Sequence, residues 1–327
     1  MTDIEVSVLI TTYNHEKFIA QCLDSLINQK TSFKYEVVIG EDCSTDNTRK
    51  IVVEYAKKYP EIIKPILYKT NQGTKKCPGK GNFTNTFYEC KGKYIVHIES
   101  DDFLIDTNKL QVQYNYLETN KEASACFHNA EVIFEDNSAL PYLMNDENQK
   151  QRIETSDFLQ EKETWFMATA SVMFRRKLIP KHFPNWFLNC KSGDIPLYCM
   201  LSDKGYIGYI PKIMSVYRKH AAGLSMTDIH LDATFIENRI FMYNSIDEYT
   251  NFKYHKLIKK ILSGYYLNLA DSFQYKNNSI KSIQSIYKSW QLNRENNLIF
   301  QFKNHGSTQG FYQKYLTLVR KLNKFIG

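Results

Sequence analysis

The sequence predicts an α/β protein with a mostly parallel central sheet flanked by helices, followed by a C-terminal helical region. Three short apolar runs rich in β-branched residues are typical of buried strands: Val6–Ile10, Glu36–Gly40 and Tyr94–Ile98. Stretches of helical length separate these runs, as in parallel sheets with crossover helices. Ligands of open parallel sheets bind beyond the carboxyl ends of the strands. We therefore expect Thr11, Asp42, Glu99 and Asp101 to lie at one edge of the sheet.

The other elements of this half follow from hydrophobic periodicity. The first helix is predicted over Glu16–Gln29 because Phe18, Ile19, Cys22, Leu23, Leu26 and Ile27 form a helical stripe. The same criterion predicts helices over Asp46–Lys58, Phe83–Cys90, Lys109–Asn120 and Ile195–Asp203. Further strands are predicted over Ile62–Tyr68, within Ala123–Phe134, over Thr169–Arg176 and as two short extended runs in residues 205–220. Lys75–Asn82 is predicted to be a loop, and the polar, aperiodic Met144–Arg152 a mobile loop.

Composition bounds the class of protein. The 327 residues are 43% hydrophobic and 24% charged, as in a soluble globular protein with a sizeable core. The seven cysteines show no zinc-type or redox spacing, and no apolar stretch is long enough to cross a bilayer, so a cytoplasmic protein is expected. From about Asp228, glycine and proline nearly vanish and helical periodicity takes over. We predict a catalytic domain over residues 1–226 and a helical appendage over residues 227–327.

The net charge of +7 comes partly from lysines in the C-terminal third. Nucleic acid is not an expected partner, because no recognition motif accompanies the charge. The lysines and the amphipathic Tyr312–Ile326 leave two interpretations open. Either the segment contacts an anionic membrane surface, or it is a packing appendage or a contact within a homo-oligomer.

Acidic residues follow two of the predicted strands, in the segments EDCSTDNT and ESDD. Mg²⁺ and Mn²⁺ prefer oxygen ligands and bridge carboxylates to substrate phosphates. Asp101 is therefore a candidate metal ligand, Glu99 a candidate partner for a sugar hydroxyl, and Asp42 a candidate partner for a nucleobase. Turn formation and helix capping are the alternative roles of these residues.

Two further segments carry candidate residues. Asp194 follows Ser-Gly and precedes a predicted helix, so it is either a general base in the cleft or an acid that favours the helix N-terminus. Arg218 and His220 alternate in an extended segment and therefore share a face, from which they could contact a phosphate. The alternative is a basic surface loop.

Taken in this order, the segments resemble glycosyltransferase family 2, the inverting enzymes with the GT-A fold of nucleotide-diphospho-sugar transferases. The resemblance covers about the first two thirds of the chain and is carried by VSVLITTYNHEKFIAQCLDSLINQ, EVVIGEDCSTDNT, NQG, GKYIVHIESDDF, GDIPLY and YRKH. It implies an enzyme that moves a sugar from a nucleotide-diphosphate donor, with UDP expected, to a hydroxyl of a cell-surface glycan, lipid-linked or protein-linked acceptor.

The resemblance also implies roles for single residues. Thr11, Tyr13 and Asp42 would contact the base and ribose of the nucleotide. Glu99-Ser100-Asp101 resembles the DxD motif, with Asp101 as the ligand of Mn²⁺ or Mg²⁺. Asp194 would be the catalytic base, and Arg218 and His220 would close over the diphosphate. The chain departs from the family pattern at Glu99 and Glu41, which each add one methylene at the edge.

Two other classes of protein remain open on the sequence alone. A sugar-phosphate nucleotidyltransferase shares a related sheet, but usually has an arginine-containing, glycine-rich loop after its first strand, where this chain has TTYNHEKF. A non-catalytic nucleotide-binding module would not need Asp101, Asp194, Arg218 and His220 together.

Overall fold

The computed structural model describes residues 4–74, 77–160, 165–221, 223, 232–272 and 278–294. The chain forms two compact units, of which one comprises Met1–Phe158 and Thr164–Thr227 and the other Leu159–Glu163 and Asp228–Gly327. The boundary between a catalytic domain and an appendage at 226/227 stays a prediction.

The first unit is built on one mixed sheet. Its strands, β1 to β10 in chain order among the described residues, are Ile4–Thr12, Lys34–Glu41, Ile63–Leu67, Tyr94–Glu99, Phe103–Leu104, Ala125–Phe134, Tyr142–Leu143, Arg152–Ile153, Met173–Arg175 and Ile207–Lys219. Its helices, α1 to α7, are Ile19–Ile27, Thr48–Lys58, Lys80–Glu89, Lys109–Thr119, Thr155–Phe158, Asn185–Asn189 and Asp194–Ser202. The three strands on which the fold prediction depends are confirmed as β1, β2 and β4.

The strand order places the candidate site. The order is β3-β2-β1-β4-β9-β6-β10-β5, with β7 beside β6 and β8 beside β10. The strands β3, β2, β1 and β4 are parallel to one another, β6 is parallel to β10, and β9 runs antiparallel to β4 and β6. The chain winds outward from β1 through β2 to β3 and then returns to β4 on the other side. The crevice between β1 and β4 is therefore the point where doubly wound sheets bind ligands.

The two faces of β1 pack against different helices. Val6, Val8 and Ile10 join Leu23 and Leu26 of α1 in the main core. On the opposite face α3 lies so close that a Cβ at Gly40 of β2 would fall 1.9 Å from Asn82 Oδ1. Because side chains alternate along a strand, Thr11 of β1 and its β4 partner Glu99 point to the α3 face.

Three predicted elements differ in the structure. The segment Thr169–Arg176, predicted as a strand, begins with a 3₁₀ turn at Thr169–Ser171 and contains only three residues of strand. The turn forms because Ser171 donates both its backbone N–H and its hydroxyl to the carbonyl of Ala168. Residues 205–220 hold one strand, β10, rather than two runs, since register shifts between Ile210 and Ser215 accommodate Pro211. Helix α3 starts at Lys80, inside the predicted loop, after Gly79 at φ 69°.

The second unit contains three described helices, α8 Ala233–Tyr249, α9 His255–Ala270 and α10 Ser279–Leu292, which confirms the predicted helical texture there. Helix α9 packs against both α8 and α10. The segment Tyr312–Ile326 lies outside the described residues. No helix in the described ranges combines the length and apolarity needed to cross a bilayer.

Candidate active site

The loops that follow β1 and β2 are tied into one surface. Asn14, at φ 55°, donates its backbone N–H to Ser44 Oγ at 3.0 Å and accepts from the N–H of Thr45 at 2.8 Å. His15 donates its N–H to Thr48 Oγ1 at 2.8 Å. Asparagine tolerates this left-handed conformation better than most residues. The two loops therefore form a single floor at the carboxyl edge of the sheet.

The residues predicted to contact the nucleotide lie on this floor or beside it. Asp42 is 2% exposed, and its Oδ1 accepts the N–H of Gln72, in the segment NQG, at 2.6 Å. Burial raises the pKa of Asp42, although the bond from Gln72 opposes the rise. The ring of Tyr13 is 44% exposed and open to a ligand. The Thr11 hydroxyl is turned to the α3 face, 3.3 Å from Nε2 of the half-buried His97.

Asp101 lies between two histidines. Its Oδ2 is 3.0 Å from His220 Nε2, while its buried Oδ1 makes no hydrogen bond to any residue in the described ranges. One ligand atom each of His15, Asp101 and His220 lies within 4.8 Å of the others. A carboxylate oxygen without a partner is costly to bury, and a cation between these three side chains would satisfy it.

The hydrogen bonds of Ser100 set the tautomer of His15. Ser100 Oγ donates to Thr12 Oγ1 at 2.7 Å and also lies 2.7 Å from His15 Nδ1. Because the serine proton is already used, His15 Nδ1 carries the proton of that second bond. The lone pair of His15 then resides on Nε2, which is the form that binds a metal.

Burial and neighbouring charges give the carboxyl groups of ESDD different pKa values. Burial, together with the charges of Asp101 and Asp194, raises the pKa of Glu99 to about 8. Burial also raises the pKa of Asp102 well above its ordinary value, with the charge of Asp101 adding to it. Burial would raise the pKa of Asp101 too, but the hydrogen bond with His220 outweighs it and lowers this pKa, while burial lowers the pKa of His15 and favours its neutral form. Asp101 is thus the carboxylate of this turn that stays ionised.

Arg218 and His220 both face the Asp101 turn, as their predicted alternation requires. The guanidinium of Arg218 donates to the Asp101 carbonyl at 3.0 Å, to Gln21 Oε1 at 2.6 Å and to Glu135. It also lies over the ring of Phe18, 4.9 Å from its centroid. These contacts favour a role for Arg218 in holding the turn. Its predicted contact with a diphosphate would require it to exchange at least one partner.

Asp194 is the first residue of α7, on the α3 side of the edge. The preceding residue, Gly193, lies so close to Lys80 that a Cβ there would fall 3.3 Å from Lys80 Nζ. The charge of Asp194 raises the pKa of both Glu99 and Lys80. Lys80 Nζ donates to the carbonyl of Ser192 at 2.9 Å and lies 4.3 Å from the centroid of the Phe187 ring. Burial lowers the pKa of Lys80 to about 8, against the opposing charges of Cys190 and Asp194. An ionised carboxylate with a neighbouring lysine is suited to accept a proton.

The sequence prediction missed His15, Lys80 and Asp102 as members of this site. His15 lies in TTYNHEKF, the segment directly after β1, so its position at a strand end was a usable signal. Lys80 had no such signal, because its hydrogen bond to the carbonyl of Ser192, two residues before Asp194, joins segments that are 112 residues apart in the sequence. The structure brings Glu99 and Asp101 together with Asp194 and His220, and places Tyr13 and Asp42 on the adjoining floor.

Known proteins are similar to this chain in sequence and in architecture. The sequence model of the family described as glycosyl transferase family 2 matches residues 7–183. An uncharacterised protein of Mycobacterium tuberculosis is 35% identical over 222 residues, which are 67% of this chain and 60% of the relative. The chain therefore matches three fifths of the length of that relative. The poly(ribitol-phosphate) beta-N-acetylglucosaminyltransferase TarS of Staphylococcus aureus is 36% identical over 135 residues, 40% of this chain and 20% of TarS.

Solved structures show the fold. TarS 1–349 in complex with UDP-GlcNAc superposes with a TM-score of 0.63 at 17% identity, covering 98% of this chain and 92% of that one. The mannosyltransferase PcManGT of Pyrobaculum calidifontis, in complex with GDP-Man and Mn²⁺, gives a TM-score of 0.51 at 14% identity over 91% and 89% of the two chains.

Proposed function

This chain belongs to glycosyltransferase family 2 and has the GT-A fold, and from this membership we propose that it transfers a sugar from a nucleotide-diphosphate donor to an acceptor hydroxyl with inversion. UDP is the proposed carrier, and the acceptor is a glycan or glycoconjugate of the cell surface. The observation that supports the proposal best is the grouping of Glu99 and Asp101 with Asp194 at the crevice between β1 and β4.

The residues around Asp101 fit a divalent metal ion. Asp101 has a buried oxygen without a hydrogen-bond partner in the described ranges, and His15 and His220 offer nitrogen ligands beside it. Two imidazoles and one carboxylate suit Mn²⁺ better than Mg²⁺, which prefers oxygen alone. When bound, such an ion supplies Lewis-acid neutralisation of the charge on the leaving diphosphate. His15 and His220 are thus proposed as ligands with Asp101, and this places His220 beside the diphosphate.

The residues of the chain carry out one displacement. Asp194 accepts the proton of the acceptor hydroxyl while that oxygen forms a bond to the anomeric carbon of the sugar. The bond from this carbon to the diphosphate oxygen breaks on the opposite side, and the nucleoside diphosphate leaves with the electron pair. Glu99 is proposed to hydrogen-bond a sugar hydroxyl, because it lies at the end of β4 next to the Asp101 turn.

The other ligand contacts follow from the floor described above. Asp42 holds the NQG segment through Gln72, and its second carboxylate oxygen is the proposed acceptor for the nucleobase. Tyr13, whose ring is exposed, is proposed to contact the base, and Thr11 is proposed to contact the ribose. The loop Met144–Arg152, anchored by the buried Asn145, is proposed to close over the acceptor.

The decisive experiment is a donor screen with the full chain and Mn²⁺, in which release of nucleoside diphosphate is measured with and without acceptor. For the donor that is accepted, Asp194→Asn should lower turnover by about 10²–10⁴-fold without weakening donor binding, because it removes only the base. The exposed Asp24→Asn is the matched control and should be silent.

Three results would contradict the proposal. Wild-type turnover in Asp194→Asn would remove the assigned base. A product with retained anomeric configuration, seen by NMR, would exclude the single displacement. Release of pyrophosphate from a nucleoside triphosphate and a sugar phosphate would identify a nucleotidyltransferase instead.

A further inference from the structure

A second concave site lies at the other end of the sheet, where β4 begins and β9 ends. Its volume is about 470 Å³, and no carboxylate is among its lining residues. Six cationic residues line it: Lys91, Lys93, Arg175, Arg176, Lys177 and Lys181. Strand β4 runs from this cleft to the Asp101 turn, so about 17 Å of strand separates the two sites. We call this site the basic cleft.

The backbone of the basic cleft is held rigidly. A Cβ at Gly92 would lie 2.4 Å from the backbone nitrogen of Ser7, so this loop packs directly on β1. The N–H of Lys91 donates to Glu36 Oε1 at 2.8 Å, and Ser7 Oγ donates to the same carboxylate at 2.6 Å. The N–H of Arg176 donates to the Lys93 carbonyl at 3.1 Å. The cations are therefore displayed from a preformed frame, which lowers the entropic cost of binding.

The cationic side chains differ in how far their hydrogen-bond donors are already used within the protein. Arg175 is 6% exposed and spends its guanidinium on the Tyr94 hydroxyl and on backbone carbonyls, including those of Ala123 and Leu117. Lys93 is paired with Glu118. Arg176, in contrast, has a buried Nε that makes no hydrogen bond to any described residue. Lys177 and Lys181 are exposed at the mouth of the cleft.

The floor of the basic cleft is apolar. Phe87 and Tyr88 line it, and the guanidinium carbon of Arg176 lies 5.9 Å from the centroid of the Phe87 ring. Ile179 and Pro180 complete this surface. The volume exceeds what a bare phosphate ion fills, and the apolar floor would cover an attached organic group.

We infer that the basic cleft binds the phosphate group of a ligand that carries a glycerol- or sugar-sized organic substituent. Arg176 lines the cleft with its guanidinium carbon 5.9 Å from the Phe87 ring centroid, and arginine is the side chain best matched to phosphate oxygens. Lys177 and Lys181 add charge at its mouth. The phosphate belongs either to a soluble phosphorylated compound or to the headgroup of an anionic lipid, and the two sources share this chemistry.

The test compares two double variants of the full chain that lose the same charge. Lys177→Ala/Lys181→Ala removes two exposed lysines of the cleft. Lys57→Ala/Lys58→Ala removes two exposed lysines from the last turn of α2, outside it. Binding of glycerol 3-phosphate is measured by calorimetry, and co-sedimentation is measured with phosphatidylglycerol vesicles and with phosphatidylcholine vesicles.

The cleft variant should bind the phosphate probe about tenfold more weakly, and the α2 variant should bind it like the wild type. Arg176→Gln should weaken binding in the same way. Loss of glycerol 3-phosphate binding would identify a soluble ligand, whereas loss confined to phosphatidylglycerol vesicles would identify a lipid headgroup. Equal binding by the cleft and α2 variants, or no binding of either probe by the wild type, would overturn the inference. Sugar transfer at the Asp101 edge should be unchanged in all three variants.

Discussion

The two ends of strand β4 have opposite chemistry. The carboxyl end leads into Glu99, Asp101 and Asp102, three acids packed within one turn. The amino end opens into the basic cleft, where lysines and arginines line the surface and no acid does. Each end also holds buried polar atoms with no hydrogen bond to the described residues: Oδ1 of Asp101 and Oδ2 of Asp102 at one end, Nε of Arg176 at the other.

The comparison shows that buried polar atoms without a hydrogen-bond partner indicate which kind of ligand a site binds. A buried acceptor without a partner calls for a cation or a hydrogen-bond donor, and a buried donor without a partner calls for an anion. The acidic end adds two imidazoles, which makes a metal ion the fitting occupant there. The basic end adds an apolar floor, which favours an anion with an organic group.

The largest expected effect comes from Asp101, because it is the central ligand of the acidic end. Asp101→Ala should weaken Mn²⁺ binding by about 10–100-fold or more, since changes even in groups that only orient a metal ligand have effects of this size. Electron paramagnetic resonance of Mn²⁺ with the nucleotide-free protein measures this directly, without any need for turnover.

Two companion variants sharpen the result. His15→Ala should also weaken Mn²⁺ binding, because Nε2 of His15 is the proposed third ligand. The cleft variant Lys177→Ala/Lys181→Ala should leave it unchanged. If Asp101→Ala binds Mn²⁺ as tightly as the wild type does, the acidic end is not the metal site.

A smaller effect is expected from Lys80, which acts on Asp194 without touching a ligand. Lys80→Met keeps the packing on Phe187 but removes both the hydrogen bond to Ser192 and the charge that favours an ionised Asp194. Turnover should fall by about threefold to tenfold, and the acidic limb of its pH profile should move to higher pH.

The matched control is Lys109→Met, a second fully buried lysine whose pKa burial lowers to about 7, with Cys126 rather than a site carboxylate as its charged neighbour. This control should leave the pH profile unchanged. A purely structural role of Lys80 would lower the thermal stability of Lys80→Met without any shift of the acidic limb.

The acidic end of β4 could be predicted from the sequence, whereas the basic cleft could not. Strand ends followed by EDCSTDNT and ESDD located the edge, because parallel strands bring their carboxyl ends together whatever the helices between them do. The fold and the family followed from the same segments in order. The predicted roles of Thr11, Asp42 and Asp194 rest on the resemblance and stay predictions.

The rest depended on packing that no local pattern encodes. Lys80 donates to the carbonyl of Ser192 across 112 residues of sequence, and Arg176 meets Lys93 only because the antiparallel strand β9 pairs with β4. The strand predicted over Thr169–Arg176 includes the turn at Thr169–Ser171. The sequence therefore did not indicate that only Met173–Arg175 pairs with β4. Residues 205–220 were predicted as two extended runs but form one strand, since a register shift within a sheet has no sequence signature of its own.

Effects on stability should have opposite signs at the two ends of β4. Burial, with the charges of Asp101 and Asp194, raises the folded pKa of Glu99 from 4.5 to about 8. Hydrogen bonds from Lys121, Lys93 and the Tyr94 hydroxyl lower the pKa of Glu118, beside the basic cleft, to about 2. The first group releases its proton more readily when the protein unfolds, and the second takes one up more readily.

The free energy of unfolding should therefore respond to pH through each group in a different window. Ionisation of Glu99 costs stability as the pH rises from about 4.5 to about 8, so Glu99→Gln should flatten that decline in metal-free protein. Glu118 stabilises above its ordinary pKa, and this contribution is lost as the pH falls toward 2. Glu118→Gln should lower stability near pH 6 only slightly, because its partners Lys93 and Lys121 are exposed to solvent. Urea titrations between pH 3 and pH 9 measure both, and a wild-type curve that Glu99→Gln leaves unchanged would show that the acidic end is already neutralised without a cation.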